Sequence, residues 1–102
     1  MHHILMVRYV RRDTGWELVE WIVDPKLVHI AVHARLVLGE VVESYEPFIL
    51  AIRDGLEKDY LDFGSEQIES VEGQIFQLTC RVRARKSRRR QPTDSNGDLN
   101  GE

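Results

Sequence analysis

Residues 74–86, QIFQLTCRVRARK, have the clearest strand pattern in the chain and set the first expectation for the fold. Apolar and polar side chains alternate along this segment. The apolar set is Phe76, Leu78, Cys80, Val82 and Ala84, and the polar set is Gln77, Thr79, Arg81, Arg83 and Arg85. Because successive side chains of a strand point to opposite faces, the segment is predicted to form a strand with one core-facing side and one cationic side.

The N-terminal segment also alternates, and it predicts a β-hairpin. Residues 2–12 and 16–23 each have a strand pattern, and the Arg-Asp-Thr-Gly sequence at residues 12–15 is typical of a tight turn. Strict alternation along the second strand places two groups of apolar residues on opposite faces of that strand. The first group is Trp16, Leu18 and Ile22, and the second is Val19, Trp21 and Val23.

The segment that follows the hairpin has two interpretations. Asp24 and Pro25 are typical of a helix start, since Asp accepts hydrogen bonds from free backbone donors and Pro has no donor to lose. A helix over residues 25–43 would also align a polar stripe consisting of His29, His33, Glu40 and Glu43. However, apolar residues alternate from Val28 to Leu38, and this pattern favours a third strand instead.

A second helix is predicted over residues 47–62, because Pro47 interrupts any longer helix and an apolar stripe follows it. Ser44 or Glu46 would cap this helix, and Gly64 would end it. The remaining prediction is a short strand near Ile68, followed by a turn at Glu72 and Gly73. The fold class is therefore α+β: an antiparallel sheet containing a β-hairpin and one or two C-terminal strands, with two helices on one face. The alternative is a βββαβ meander.

Length and composition indicate one small domain. The chain has 102 residues, of which 42% are hydrophobic, and it contains one cysteine. Residues 1–86 are expected to form a globular domain, and residues 87–102 a basic arm with a disordered polar tail. No apolar stretch is long enough to span a bilayer, so we expect a cytoplasmic protein.

Charge is strongly segregated along the chain, although the net charge is only -3. Residues 1–12 contain three arginines and no acid, and residues 73–90 contain seven cations and no acid. Residues 13–72, by contrast, contain 14 acids and four cations. Such asymmetry is typical of a chain that uses one surface for binding.

The cationic segments predict a nucleic-acid-binding surface. Guanidinium groups bind phosphates in a bidentate manner, and Tyr9, Trp16 or Trp21 would supply a platform for base stacking. If the terminal strands pair, the N-terminal arginines would join the same patch. The predicted binding residues are Arg81, Arg83, Arg85, Lys86, Arg88, Arg89, Arg90, Arg8, Arg11 and Arg12.

The leading functional hypothesis is therefore a small non-enzymatic binding module whose basic strand and arm bind RNA or DNA electrostatically. Other uses of the arginines are an acidic protein partner or pairing with the chain's own acids. The alternative hypothesis is an assembly module that acts as a homo-oligomer and has no nucleic-acid role. The predicted helix over residues 25–43 is more apolar than a small sheet can cover, and Leu36 would lie at the contact.

Other candidate sites are weaker. His29 and His33 lie four residues apart, a spacing that would let both imidazoles reach one metal ion on a helix, but no further ligand lies nearby in sequence. Cys80 lies in the apolar set of its strand, which predicts an inert core thiol. No catalytic motif is present, and we expect neither a cofactor nor a metal.

Overall fold

The computed structural model describes residues 2–70 and 72–85, and within them five strands form one antiparallel sheet with helices packed on one face. The elements are β1 (His3–Arg12), β2 (Gly15–Val23), a 3₁₀ turn (Pro25–Leu27), α1 (Val28–His33), β3 (Val41–Val42), α2 (Glu46–Asp59), β4 (Tyr60–Glu69) and β5 (Ile75–Arg85). The strand order is β3-β2-β1-β5-β4. The predicted α+β class is confirmed, and the βββαβ alternative is wrong because residues 28–33 are helical.

The hydrophobic core lies between the helices and the two central strands, β1 and β5. Alternate side chains of both strands point towards the helices and are fully buried, as the alternation of β5 predicts. Each buried aliphatic side chain contributes about 1.5–3 kcal/mol relative to exposure. The buried residues on the two strands are Leu5, Val7, Tyr9, Phe76, Leu78, Cys80 and Val82, and those on the helices include Leu27, Ile30, Ile52 and Leu56.

An aromatic cluster closes one end of this core. The ring of Tyr45, just before α2, stacks on Phe76 with a centroid distance of 4.1 Å, and Trp16 meets Tyr45 edge-on at 4.8 Å. Tyr9 lies 5.8 Å from the same Tyr45 ring. Such pairs add about 0.5–1.5 kcal/mol each beyond the area that they bury. Tyr45 therefore connects the start of α2 to β1, β2 and β5.

The prediction for the faces of β2 is wrong, because the strand contains a bulge. Arg8 pairs with Glu20 while the next residue of β1, Tyr9, pairs with Leu18, so that Val19 has no partner. An extra residue in one strand reverses the alternation beyond it. As a result, Trp16, Leu18, Trp21 and Val23 all lie on the helix side of the sheet.

The predicted cap at Asp24 is confirmed, but it caps the 3₁₀ turn, and α1 begins only at Val28, so the predicted bounds of the helix are wrong at both ends. Asp24 Oδ1 accepts a hydrogen bond from the backbone N–H of Lys26 at 2.8 Å, as expected of a cap. The helix then ends at His33 instead of continuing to residue 43. Arg35 adopts a left-handed backbone with φ of 59°, and such a residue ends a helix.

The end of α1 has the full hydrogen-bond pattern of a Schellman motif. The N–H of Arg35 donates to the carbonyl of Val32, and the N–H of Leu36 donates to the carbonyl of Ala31. The second of these bonds turns Leu36 into the core, where it is 8% exposed. The role of Leu36 in self-association stays a prediction, and a charged residue at this position would also disturb the core.

The close approach of neighbouring backbones explains two glycines. Gly15 begins β2 at φ +155°, and a Cβ there would lie 2.3 Å from the carbonyl oxygen of Val42 on β3. Gly55 lies in the middle of α2, and a Cβ there would lie 2.9 Å from Cδ1 of Ile30. The low helix propensity of Gly55 is thus compensated by the tight contact between α1 and α2.

The transition from α2 to β4 differs from the prediction. The helix ends at Asp59, Tyr60 enters the extended region at once, and its buried hydroxyl donates to the carbonyl of Lys26 at 3.2 Å. A strand of ten residues follows in place of the predicted short one, and Gly64 lies within it instead of ending the helix. The predicted turn before β5 is confirmed by the hydrogen bond from Gly73 to Ser70.

Residues 86–102 lie outside the described part of the chain, and so do the predictions of a basic arm and a disordered tail. Among residues 2–70 and 72–85, no helix is long and apolar enough to cross a membrane.

The strained cap at Arg35 provides a test of this account of α1. A left-handed backbone is unfavourable for any residue with a Cβ by about 1–2 kcal/mol. We expect Arg35→Gly to raise the free energy of unfolding by about 0.5–1 kcal/mol in urea titrations, after allowing for the entropy of glycine. The matched variant Arg35→Ala removes the same charge but keeps the strain, and it should give no gain. Equal effects of the two variants would contradict the backbone explanation.

Candidate cationic cleft and neighbouring surfaces

A small cleft at one end of the sheet is lined mainly by cationic side chains. Its volume is about 160 Å³, and it lies between β1, β5, β4 and the 3₁₀ turn. The polar residues around it are His3, Lys26, Tyr60, Arg83 and Arg85. Two of these, Arg83 and Arg85, belong to the predicted binding set, whereas His3 and Lys26 were not recognised from the sequence.

The antiparallel register explains why these residues meet. His3 at the start of β1 pairs with Val82 near the end of β5, and Tyr60 at the start of β4 pairs with Arg85. The chain also leaves β2 at this end, since the N–H of Asp24 donates to the carbonyl of Ile4 at 3.0 Å. The 3₁₀ turn that follows carries Lys26 to the cleft.

Carboxylates beside the cleft partly neutralise its charge. Asp24 Oδ2 lies 3.1 Å from His3 Nδ1. The backbone N–H of Lys26 and, to a lesser extent, His3 hold the pKa of the Asp24 carboxyl below its ordinary value. Arg83 Nε lies 3.4 Å from Asp62 Oδ2 in an exposed pair, and such pairs contribute at most about 1 kcal/mol. The Arg83 side chain is therefore readily available to another anion.

Arg85 and Arg81 have no carboxylate within ion-pair distance among the described residues. The guanidinium of Arg85 lies 6.0 Å from the ring centroid of Tyr60, within range of a cation–π contact. Burial raises the pKa of the Tyr60 hydroxyl, so this ring remains neutral at physiological pH. Arg81 is exposed and pairs in register with Ile4.

The arginines of β1 do not join this cleft, although β1 and β5 do pair. Arg8 pairs in register with Gln77, four residues before Arg81, a separation of about 13 Å at the rise of a strand. Arg11 and Arg12 lie still farther away, because their own strand continues in that direction. The antiparallel register therefore separates the cationic residues into two groups at opposite ends of the sheet.

The N-terminal group is also largely engaged within the protein. Arg8 donates to the carboxylate of Glu20 and to Oε1 of Gln77, and Arg12 Nε donates to Glu17 Oε1 at 2.8 Å. Arg11 lies over the ring of Trp16, 5.5 Å from its centroid. Four further predicted residues, Lys86, Arg88, Arg89 and Arg90, lie outside the described part of the chain.

The aromatic residues expected to stack on bases are not on the open face of the sheet. Tyr9 is buried in the core, and Trp16 packs against Tyr45. Trp21 lies on the helix side with Val23. The prediction of a stacking platform formed by these residues is therefore wrong, and the reason is the combination of the β2 bulge with the one-sided core.

The two histidines of α1 bind separate carboxylates on α2. His29 Nε2 lies 2.8 Å from Asp59 Oδ2, and His33 Nε2 lies 3.4 Å from Asp54 Oδ2. Both histidines are exposed, and these contacts run across the junction of the two helices. Within residues 2–70 and 72–85, no group of three His, Cys, Asp or Glu side chains has the arrangement of a metal site.

An apolar groove lies beside α1. Its volume is about 300 Å³, and it is formed by Trp21, Val23, Val28, Ala31, Val32 and Leu36. Val32 is 70% exposed and Val28 is 50% exposed, so that two valines stand at the rim of the groove.

A second cleft separates α2 from β4 and has a volume of about 290 Å³. Arg53 of α2 lines it, and the Nε atom of this side chain is buried without a hydrogen-bond partner among the described residues. An unsatisfied buried donor is unfavourable by about 1–3 kcal/mol. Sequence reasoning missed this residue, because nothing near Arg53 in the sequence distinguishes it from an ordinary helical arginine.

Comparison of the chain with protein-family models, with curated proteins and with solved structures finds no match. Functional inference therefore depends on the charges, contacts and exposed surfaces of the chain itself.

Cys80 provides a test of how closed the core is. Its side chain is fully buried, and burial raises the pKa of the thiol from 9.0 to about 11. Because folding favours the protonated thiol, its contribution to stability is complete below pH 9.0 and is lost as the pH approaches about 11.

We expect native protein at neutral pH to react with a thiol reagent only through unfolding, so that urea accelerates the reaction. We also expect the free energy of unfolding to fall between pH 9 and about 11. A Cys80→Ala variant should show a smaller decrease over this interval. Rapid labelling of the native protein without denaturant would contradict the buried position.

Proposed function

We propose that this protein is a small non-enzymatic module that binds nucleic acid through the cationic cleft and the basic segment that follows it. The observation that supports this proposal is the position of the cleft on the chain. Arg83 and Arg85 line it at the end of β5, and Lys86, Arg88, Arg89 and Arg90 come next in sequence. The cleft arginines and the most cationic segment of the chain are therefore adjacent in sequence.

The chemistry of the cleft fits a phosphate group. Arginine side chains present a planar fork of donors to phosphate oxygens, and Lys26 and His3 add donors from another direction. Arg81 extends the cationic row along the open face of β5. Arg81 is paired on both sides, with Ile4 and Gly64, whereas Arg83 and Arg85 lie beyond the end of the β1 pairing and belong to a strand held there by β4 alone. Side chains attached to an ordered strand lose less entropy on binding than those of a free segment.

The proposed binding is electrostatic and independent of base sequence. The tyrosine and tryptophans that would stack on bases lie on the helix side of the sheet. Without base stacking, contacts to phosphate dominate the binding, and these contacts release counterions from the nucleic acid. The affinity should then fall steeply with salt concentration and differ little between sequences.

A salt titration tests the proposal. Replacing Arg88, Arg89 and Arg90 together with Gln should flatten the slope of log affinity against log salt by about 2–3 units on a DNA duplex. Replacing Lys26 and Arg85 with Gln should flatten it further, since both line the cleft. Fluorescence anisotropy with one duplex and one single-stranded RNA probe, at several salt concentrations, measures each slope.

Arg11→Gln is the matched control, because Arg11 is an exposed arginine at the opposite end of the sheet and has no carboxylate partner within residues 2–70 and 72–85. It should leave the slope almost unchanged. An effect of Arg11→Gln equal to that of Arg85→Gln would contradict the assignment to the cleft. Absence of binding to both probes at low salt would reject the nucleic-acid proposal. The arginines would then bind an acidic protein partner or pair with the chain's own acids.

A second candidate function is self-association, and the apolar groove beside α1 favours it. The groove and the protruding Val32 belong to the same surface, so a two-fold axis would place the valine of each copy against the groove of the other. Val28 and Trp21 would form the wall that receives it. This arrangement would bury the most exposed side chain of α1.

Substitution of Val32 tests self-association. In light-scattering measurements over a range of concentrations, we expect wild-type protein to form dimers and Val32→Glu to remain monomeric, because the glutamate would be buried unpaired. Leu50→Glu is the control, since Leu50 is 66% exposed on α2 and lies outside the groove. Wild-type protein that remains monomeric at high micromolar concentration would reject this function.

A further inference from the structure

β4 is a free edge of the sheet. Within residues 2–70 and 72–85 it pairs only with β5. Natural proteins commonly protect such edges with charged side chains, proline, bulges or a very short strand. In β4 the register is irregular only before Phe63, and the charged residues beyond that point are Glu66 and Glu69. β4 has ten residues, YLDFGSEQIE, with neither lysine nor proline. From Phe63 to Glu69 its register with β5 is regular, and this part is therefore suited to accept another strand.

A cleft runs along the helix side of this edge. Glu46, Leu50 and Arg53 of α2 form one wall, and Gln67 and Glu69 of β4 form the other. Phe76 of β5 contributes to the same cleft. A groove between an edge strand and a helix is the arrangement in which an extended peptide adds a strand and inserts alternate side chains.

The spacing of the helical wall is close to that of such side chains at the first step and about 2 Å shorter at the second. Glu46, Leu50 and Arg53 follow one another at about 6 Å and 4.5 Å along the helix axis. Alternate residues of a strand lie about 6.6 Å apart on one face. Three alternate side chains of a peptide would thus meet an acid, an aliphatic residue and an arginine in turn.

The charged residues that line the cleft predict which side chains a bound peptide carries. Glu46 and Glu69 are both exposed on its walls, so a lysine or arginine between them would meet two carboxylates. Leu50, which is exposed, would contact an aliphatic side chain. Arg53 lines the same cleft, and a carboxylate of the peptide would pair with its guanidinium.

We propose that this cleft binds an extended peptide of a partner protein as an additional strand on β4, with basic, aliphatic and acidic side chains at alternate positions. The site is separate from the cationic cleft, with which it shares no lining residue. The cation of the peptide lies at Glu46 and Glu69, the aliphatic residue lies on Leu50, and the acid binds Arg53.

The probe is the synthetic peptide acetyl-Thr-Lys-Thr-Leu-Thr-Glu-Thr-amide, tested together with its reverse sequence and added to the full-length chain. NMR should show shifts of backbone amides from Phe63 to Glu69 for one of the two sequences. N-methylation of the peptide amides that face β4 should abolish binding, whereas N-methylation of the alternate set should not. This comparison separates strand addition from side-chain binding alone.

Variants of exposed residues test the side-chain assignments. Leu50→Glu and Glu69→Lys should each weaken the peptide about tenfold, as expected for the loss of one good contact. A peptide with Glu in place of Lys should regain affinity for the Glu69→Lys variant. Val32→Glu, in the groove beside α1, should leave the affinity unchanged, and circular dichroism should show that all three variants are folded.

Three outcomes would overturn the proposal. The first is the absence of β4 shifts with either peptide at millimolar concentration. The second is a set of shifts around Lys26 and Arg85, which would place the peptide in the cationic cleft. The third is β4 shifts that follow protein concentration without peptide, which would identify a second copy of the chain as the occupant.

Discussion

The pairing of β1 with β5 is the interaction on which the rest of the structure depends. These strands lie near the two ends of the described chain, and each also forms a ladder with a second strand, so that they constitute the centre of the sheet. Leu5, Val7, Leu78, Cys80 and Val82 of this pair are fully buried beneath the helices. Because the pairing joins residues such as His3 and Val82, forming it closes a long loop of chain, and the loss of chain entropy slows its formation.

The same pairing determines which cations can act together. An antiparallel ladder aligns the start of β1 with the end of β5, and so it places Arg83 and Arg85 beside His3 while moving Arg11 and Arg12 to the far end. Neighbouring acids also neutralise some of these arginines more than others. At the far end, Arg12 is held by Glu17, and Arg8, in the middle of β1, is held by Glu20. The available positive charge is concentrated at the end from which the basic segment continues.

The helical layer covers the sheet incompletely, and this explains both the apolar groove and the cleft beside β4. α1 ends at His33 because Arg35 adopts a left-handed backbone, and Val28 and Val32 on this helix are exposed. α2 packs tightly against α1 at Gly55, where a larger residue would meet Ile30. Most of β4 remains exposed, and α2 meets it across a cleft.

The sequence by itself determined the features that depend on neighbouring residues. The alternation along β5, the turn before Gly15 and the cap at Asp24 were all predicted, and with them the α+β class. These features follow from local backbone preferences and from the period of apolar residues. Two residues of the candidate cleft, Arg83 and Arg85, were identified in the same way, since their charge and their strand are visible in the sequence.

Only the tertiary structure decided the features that depend on distant partners. The bulge at Val19 moved Trp21 to the core side, and the burial of Leu36 accompanied the left-handed turn at Arg35. His3 joined the cleft through strand register and Lys26 through the 3₁₀ turn, and the Nε atom of Arg53 is buried without a hydrogen-bond partner among the described residues. No local pattern encodes these positions, because each results from contacts between segments that lie far apart in the chain.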